Sequence, residues 1–532
     1  MRRAIPGLLC AALSFLAAGP PLSAQTSHLG TIDFPTSGAP AAQAQFVRGV
    51  LLLHSFEYRD ALLAFRQAQG RDPGFALAYW GEALTYNHPI WNEQEMNAAR
   101  AALRRLGPTP RARRAKAPTP RERAYLEAVE ILYGDGLKAK RDTAYSRAME
   151  RLVASFPTDR EAKVFYALSL LGLSQGARDV PTYMRAAAIV DRVLRDNPNH
   201  PGAAHLLIHC YDDPIHASLG LGAARAYSKI APDAAHAQHM TTHIFLALGM
   251  WDEVVSQNEI ASGHDRAAWT ANHYTHWLGY GYLQQGRYED ALRHLSLMHR
   301  NLDPHRPLQR VELALMRAEY VVNTERWDSP SLQGRIELRD ARFRDKAVDA
   351  FVAGLSALKV GDRAGADRVL AQLTDISRRR AAADTGYAKD RVPSILEKEL
   401  QALLRQADGA ADDAVALMRE ATALEDSMPL EFGPPAVVKP SHELFGEILL
   451  EAGRPRAAEV EFAHALRLAP KRALSLLGLG RAAAAAGDRD TGSRAYGELR
   501  EIWHRADPIL PGLAEVVRFL SMPSGSSKKG SS

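Results

Sequence analysis

The stretch APDAAHAQHMTTHIF places His236, His239 and His243 within eight positions. Neutral imidazole is the commonest metal ligand in proteins, and it also serves as a general base or as a donor to an anion. The alanine-rich surroundings read as helix, and a helix turns about 100° per residue. With His236 at zero, His239 falls near 300° and His243 near 340°, whereas Thr241, Phe245 and Leu248 fall at roughly 120–180°. The three imidazoles therefore share a face, and it is not the face of the apolar residues.

Ten of the nineteen histidines lie between His200 and His276, so the triple is part of a larger concentration. In HPGAAHLLIHCYDD, His205 and His209 are i,i+4 neighbours, with Leu207, Cys210 and Tyr211 on the other side. In ANHYTHWLGYGYLQQG, His273 and His276 are i,i+3 neighbours, with Leu278 and Tyr282 opposite. An i,i+4 imidazole pair can chelate one ion, and a nitrogen-rich donor set favours zinc, copper, nickel or iron over magnesium or calcium. Asp212 and Asp213 close the His205–His209 helix as candidate ligands or as carboxylates that orient an imidazole, and Tyr280 is a further candidate binding residue. A metal with an open position would activate water or an oxidant. Without metal, the same histidines would act as general bases or bind an anion. Close imidazoles with an ordinary pKa of about 6.5 cannot all be protonated cheaply, so metal or anion affinity is expected to depend strongly on pH.

What positions these residues is an internal period. Residues 46–73, FVRGVLLLHSFEYRDALLAFRQAQGRDP, carry Gly49, Tyr58, Ala61, Phe65, Ala68 and Pro73. Gly249-Met-Trp251 with Val254 and Gly286-Arg-Tyr288 with Ala291 repeat the joint, and Gly453, Ala458, Phe462, Ala465 and Pro470 reproduce the first spacing. Pro198 and Pro232 lie 34 residues apart, as do Gly453 and Gly487. Strand alternation and Asn-Gly hairpin turns are absent, while Thr119-Pro120-Arg121-Glu122 supplies a helix capping box.

On these residues the chain resembles the tetratricopeptide repeat (TPR) family over roughly residues 42 to 505. The resemblance implies an all-α, right-handed superhelical solenoid of about eight to ten helix-turn-helix repeats, whose first helices line a concave groove. His205, His209, His236, His239, His243, His273 and His276 match groove-facing positions, as do Glu443 and Glu447 near Lys439. The phrases AAHLLIHCYDDP and AARAYSKIAPDAAHAQHMTTHIFLALGMWDEVVSQNE also resemble exported bacterial TPR proteins with a histidine-rich central block, a likeness that transfers no activity.

Residues 1–24 read as a secretory signal, with Arg2 and Arg3 before an apolar run and a small-residue cleavage site, so a periplasmic or secreted location is expected. Residues 25–41 read as an extended leader, 42–521 as the solenoid with its histidine-rich groove at 201–283, and 522–532 as a disordered tail. LGPTPRARRAKAPTP, residues 106–120, reads as a basic, exposed loop between repeats. Loss of the signal would leave Cys210 as the single cysteine, so packing rather than a disulfide must hold the fold. Removing Arg2 and Arg3 with the signal lowers the net charge from +5 to about +3, too small by itself to argue for nucleic acid, and no later stretch is apolar enough to span a bilayer. Phosphate-loop, zincin and nucleophile-elbow motifs are absent. His88 and Trp91 are candidates for a place over the groove, with a capping histidine and a buried tryptophan as the plainer account.

The resulting expectation is a histidine-lined groove that binds a transition metal ion (zinc, copper or iron), with catalysis at that centre as its stronger form. The alternative is a metal-free scaffold holding a peptide or protein in the same groove. A metal-free histidine/carboxylate enzyme is the third reading.

Overall fold

In the computed structural model, residues 28–174, 178–263, 269–329, 334, 336–383 and 390–522 are described. The signal segment 1–24 and the tail beyond Met522 lie outside them. The helices pair in sequence. The first pairs are α1 (Pro40–His54) with α2 (Tyr58–Arg71) and α3 (Ala76–Leu84) with α4 (Met96–Leu106). After the short α5 (Pro110–Arg114) come α6 (Pro120–Leu132) with α7 (Lys138–Ser155), and α8 (Arg160–Leu171) with α9 (Val180–Asp196). The histidine-rich centre is α10 (Pro201–Tyr211) with α11 (Ala217–Ile230), α12 (Ala235–Ala247) with α13 (Trp251–Ala261), and α14 (His273–Gln284) with α15 (Tyr288–Arg300). A long single helix, α16 (Pro307–Thr324), follows. The array resumes with α17 (Phe343–Lys359) and α18 (Arg363–Ala382), then α19 (Val392–Ala407) and α20 (Ala411–Asp426). It closes with α21 (Ser441–Glu451) and α22 (Pro455–Leu468), α23 (Ala473–Ala486) and α24 (Arg489–Ile502), and the terminal α25 (Leu513–Ser521). This is the all-α, TPR-like helical-repeat solenoid that the period predicts.

The repeat residues act sterically. Gly49 on α1 and Gly81 on α3 both face the Phe65 ring, and a Cβ at either position would overlap it. Gly446 and Gly478 stand in the same relation to Phe462, so small residues are required where neighbouring helices cross an aromatic ring. Between paired helices, Gly249, Gly286, Gly453 and Gly487 adopt φ of 66 to 76°, the left-handed region where a side chain is costly. Degenerate pairs such as α3/α4 carry too few of these residues to be counted from sequence, so the array is longer than its phrases suggest.

One expectation is corrected locally. The segment 106–120 is not all loop: Thr109 caps α5 by accepting from the Ala112 N–H at 3.2 Å, and Arg113 is buried against Glu130 at 2.6 Å. The chain also holds a minimal antiparallel ladder, β1 (Asn87–His88) with β2 (Glu93–Gln94), after α3. No described helix is long and apolar enough to cross a membrane.

The array bends back on itself at both ends. The leader runs beside the central repeats, with Thr31 N–H donating to Asn199 O at 2.9 Å and Phe34 wedged among Phe46, Trp80 and Tyr125. The capping box at Thr119 forms as expected, and its Glu122 also accepts from the Ser37 N–H of the leader at 2.7 Å. At the other end, Trp251 Nε1 donates to Lys471 O at 3.0 Å, Ala473 N–H to Gln284 Oε1 at 2.9 Å, and Asp507 N–H to Gly286 O at 3.0 Å. The helices carrying the histidines are therefore covered from both sides.

Candidate metal centre

Helix α10 begins where His200 caps it, accepting from the Ala203 N–H at 3.2 Å, with Pro201 in the first helical position. That start sets the rotation of His205 and His209. Helix α12 carries His236, His239 and His243 on its covered face. Helix α14 begins at His273, where Asn272 caps it by accepting from the N–H groups of Tyr274 and Thr275. These helices bring six imidazoles together in two sets, His205/His209/His236 and His239/His243/His273. Within each set the ring nitrogens that could bind an ion lie within 4.8 Å of one another.

The expected groove is closed at this point. His205 and His239 are fully buried, His209, His236 and His243 nearly so, and only His273 is partly open. Phe56, left-handed with φ of 53°, lays its ring 4.3 Å from His205 and 5.5 Å from His236. A bulky residue in that conformation is strained, and the corner after α1 holds it over the first set. Trp277 and Phe432 lie 4.3 and 5.3 Å from His243 and cover the second set. Burial, reinforced by the neighbouring imidazoles, holds His209, His236, His239 and His243 well below the ordinary histidine value. Burial brings His205 down to about 3 and His273 to about 4.

The outer nitrogens are anchored, which decides what the inner ones can do. His205 Nδ1 donates to the His54 carbonyl at 2.7 Å, leaving Nε2 as a lone pair. His239 Nδ1 meets Asn258 Oδ1 at 2.7 Å, and Asn258 is oriented because its Nδ2 donates to Val254 O at 3.0 Å. His239 Nε2 is therefore also a lone pair. His243 Nδ1 meets Asp212 Oδ2 at 2.5 Å, and His236 Nδ1 meets the Tyr274 hydroxyl at 3.1 Å. His239 Nε2 and His243 Nε2 face each other at 3.2 Å, as do His205 Nε2 and His236 Nε2. In the first of these pairs an ionised Asp212 would put two lone pairs nose to nose, a repulsion that only a proton or a cation relieves. Burial pushes Asp212 up to about 8, so it can carry that proton itself. His209 Nε2 is buried and has no hydrogen-bond partner among the described residues.

The other expected residues separate into different roles. His276 is not a ligand: Nδ1 and Nε2 are taken by Glu312 and Glu319 of α16 at 2.7 and 2.9 Å. Burial alone would lower its pKa, but the two carboxylates raise it to about 10, and a protonated imidazole has no lone pair to offer. Asp213 accepts from the Ile215 and His216 N–H groups in the turn before α11 and pairs with Arg178 at 2.8 Å, so its oxygens are already engaged. The Tyr280 hydroxyl accepts from Arg472 at 3.0 Å inside the fold. Glu443 and Glu447 are engaged in ion pairs rather than offered to a groove. Glu443 is fully buried on Arg472, Ser475 and Lys439, and Glu447 meets Lys439 at 2.5 Å. Trp91 does arrive over the centre, 5.6 Å from Phe56 and 6.4 Å from His236, half-exposed rather than buried. His88 stacks on Tyr58 at 4.0 Å and stays outside the sets. Cys210 is buried, and burial pushes its thiol pKa up.

Sequence reading missed His54, Glu161 and His200. Glu161 of α8 accepts from His54 at 2.6 Å and from His200 at 3.0 Å, clamping α1 to the start of α10. His200 Nδ1 is spent on its cap, so this triad is a proton-filled strut that also fixes the His54 carbonyl beneath His205. A cavity of about 580 Å³ reaches the centre, lined by His209, Asp212 and His273 on one side and by Trp91 and Phe432 at its edge.

No family model matches the chain, and no curated protein matches its sequence. Among solved structures, the yeast Tom70 is similar at 13% identity over 90% of this chain and 94% of its own, with a TM-score of 0.26. The human IFIT1 dimer with m7Gppp-AAAA is similar at 13% identity over 90% and 92%, with a TM-score of 0.35. Cut9 in the APC/C Cut9–Hcn1 hetero-tetramer matches at 10% identity over 92% and 79%, with a TM-score of 0.33. At such scores none of the three bears on the site, whose reading rests on the chain's own side chains.

Proposed function

We propose that the protein is a metalloprotein: an exported helical-repeat solenoid that holds a transition metal, zinc, copper or iron, in a buried imidazole centre open to a catalytic cavity. The observation that carries it is the His239–His243 pair, two Nε2 atoms 3.2 Å apart whose outer nitrogens are both engaged. Neutral nitrogen donors of this kind suit those metals, and Asp212, Asn258 and the His54 carbonyl supply the orienting partners such ligands need. His209 and His273 line the cavity, so an open coordination position would face the space where a substrate or water enters. A peptide or protein partner would meet the cavity mouth around Trp91 and Phe432, because the imidazoles themselves are covered.

The test is metal content of the mature protein, purified without a histidine tag and offered zinc, copper, iron and nickel. Stoichiometric retention is expected, with loss in His239→Ala/His243→Ala. Retention below about 0.1 equivalent of every metal sinks the reading, since a preformed buried site binds far more tightly than that.

A further inference from the structure

Resting on that reading, we infer that the centre takes two copper ions, one in each three-imidazole set, and that together they bind dioxygen as a shared ligand. The partition into two sets carries the count. Within the first set, His205 lies 4.8 Å from His209 and 4.9 Å from His236, ring centre to ring centre. Within the second, His239 lies 5.0 Å from His243 and 4.5 Å from His273. The remaining ring pair of the second set, His243–His273, spans 5.9 Å, and the contacts across the sets, His209–His243 and His236–His239, span 5.8 and 6.3 Å, so the partition rests on the ring nitrogens, which gather within 4.8 Å of one another in each set. An ion bonded at about 2.0–2.1 Å to each nitrogen can draw three of these donors onto itself but not all six. The sets nevertheless abut, because the i,i+4 pair on α10 faces the i,i+4 pair on α12.

Charge selects the metal. Neither set contains an anionic donor, and the partners of the outer nitrogens are a backbone carbonyl, an amide, a hydroxyl and one carboxylate, Asp212. Two divalent ions would bring four positive charges into a largely buried site in which Asp212 is the single carboxylate among those nitrogen partners, a desolvation cost. Two Cu(I) ions bring half the charge, and three neutral imidazoles leave each of them coordinatively unsaturated. Copper also stands at the top of the divalent affinity order for nitrogen donors, so its oxidised form is held as well.

The open positions of the two ions face each other and the cavity lined by His209 and His273. Dioxygen entering there bonds to both. Each Cu(I) gives up one electron, and dioxygen accepts the two electrons to become a bridging peroxide. Its O–O bond order falls from two to one, no proton moves, and no external reductant is consumed. The peroxide's two negative charges offset the charge that oxidation adds, which is why a site poor in anions can tolerate the change.

The experiment loads the untagged full chain anaerobically with Cu(I), removes loosely held metal with a chelator, counts copper per chain, and then admits oxygen. About two copper ions per chain are expected, with an intense near-ultraviolet charge-transfer band on oxygenation and no Cu(II) electron paramagnetic resonance signal, because the paired spins couple. His205→Ala/His209→Ala and His239→Ala/His243→Ala should each keep about one copper and lose the band. The wild-type count and spectrum decide the matter even if a double variant misfolds. One tightly held ion per chain, with an ordinary Cu(II) signal in air, overturns the pair yet leaves the metalloprotein standing. Tight zinc with no retained copper does the same, whereas no metal of any kind defeats the metalloprotein itself.

Discussion

His276 shows how far a side chain's neighbours can change its chemistry. It sits three residues from His273 on the same helix, yet the carboxylates of Glu312 and Glu319 make it a buried cation while His273 is held neutral. Its pKa is raised from 6.5 to about 10, so the folded state binds a proton that the unfolded state releases. That contribution is fully present below about pH 6.5 and is lost as pH rises through about 10. Melting temperature should therefore fall across this window in the wild type, by at most about 1.36 kcal/mol of stability per pH unit. In His276→Gln the slope should flatten while the variant is less stable at neutral pH. An unchanged slope in the variant would show that the proton resides elsewhere.

Among the elements, the segment between α20 and α21 lies over the centre and lines its cavity. Residues 427–440 cross over the second set, with Phe432 against His243 and Glu431 held by Arg344 at 2.7 and 2.9 Å. Gly433 makes the crossing possible. Its φ is 89°, and a Cβ there would lie 2.5 Å from Cζ2 of Trp277. Gly433→Ala should lift the segment from Trp277, at a cost of about 1–3 kcal/mol. The histidines of α12 and α14 should then be modified faster by diethyl pyrocarbonate, read by mass spectrometry. Gly409→Ala is the control, because Gly409 has a similar φ of 77° but open space around its Cα. Equal rates of modification in the two variants would remove the segment from any gating role.

In the molecule as a whole, the ends of the array close around its middle. Arg472 is fully buried, donates both to Glu443 and to the Tyr280 hydroxyl, and so joins α23 to α21 and to α14 of the histidine-bearing repeats. Burial alone would raise the Glu443 pKa, but Arg472 and Lys439 bring it down to about 2. Arg472→Met leaves a buried carboxylate short of its main partner and should cost about 3–5 kcal/mol. Because each repeat of a solenoid touches chiefly its neighbours, unfolding in urea should also lose cooperativity, with the C-terminal repeats melting first. A loss below about 1 kcal/mol with a single transition would mean that the closure is not held here.

The sequence by itself determined the repeat architecture and the shared face of the histidines, because both follow from local periodicities: glycines and small residues at fixed intervals, and imidazoles three and four residues apart on one helix. The capping box at Thr119 was legible because it too is a local pattern. Only the tertiary structure decided which histidines are free to bind. His205 is oriented by a carbonyl 151 residues away, while His276 is taken out of the set by carboxylates 36 and 43 residues distant. The strut of His54, Glu161 and His200, the conversion of Glu443 from groove residue to buried anion, and the covering of the groove are likewise invisible in sequence. Each depends on the ends of the array returning to its middle, and that return is set by the accumulated curvature of many repeats, a quantity no local pattern encodes.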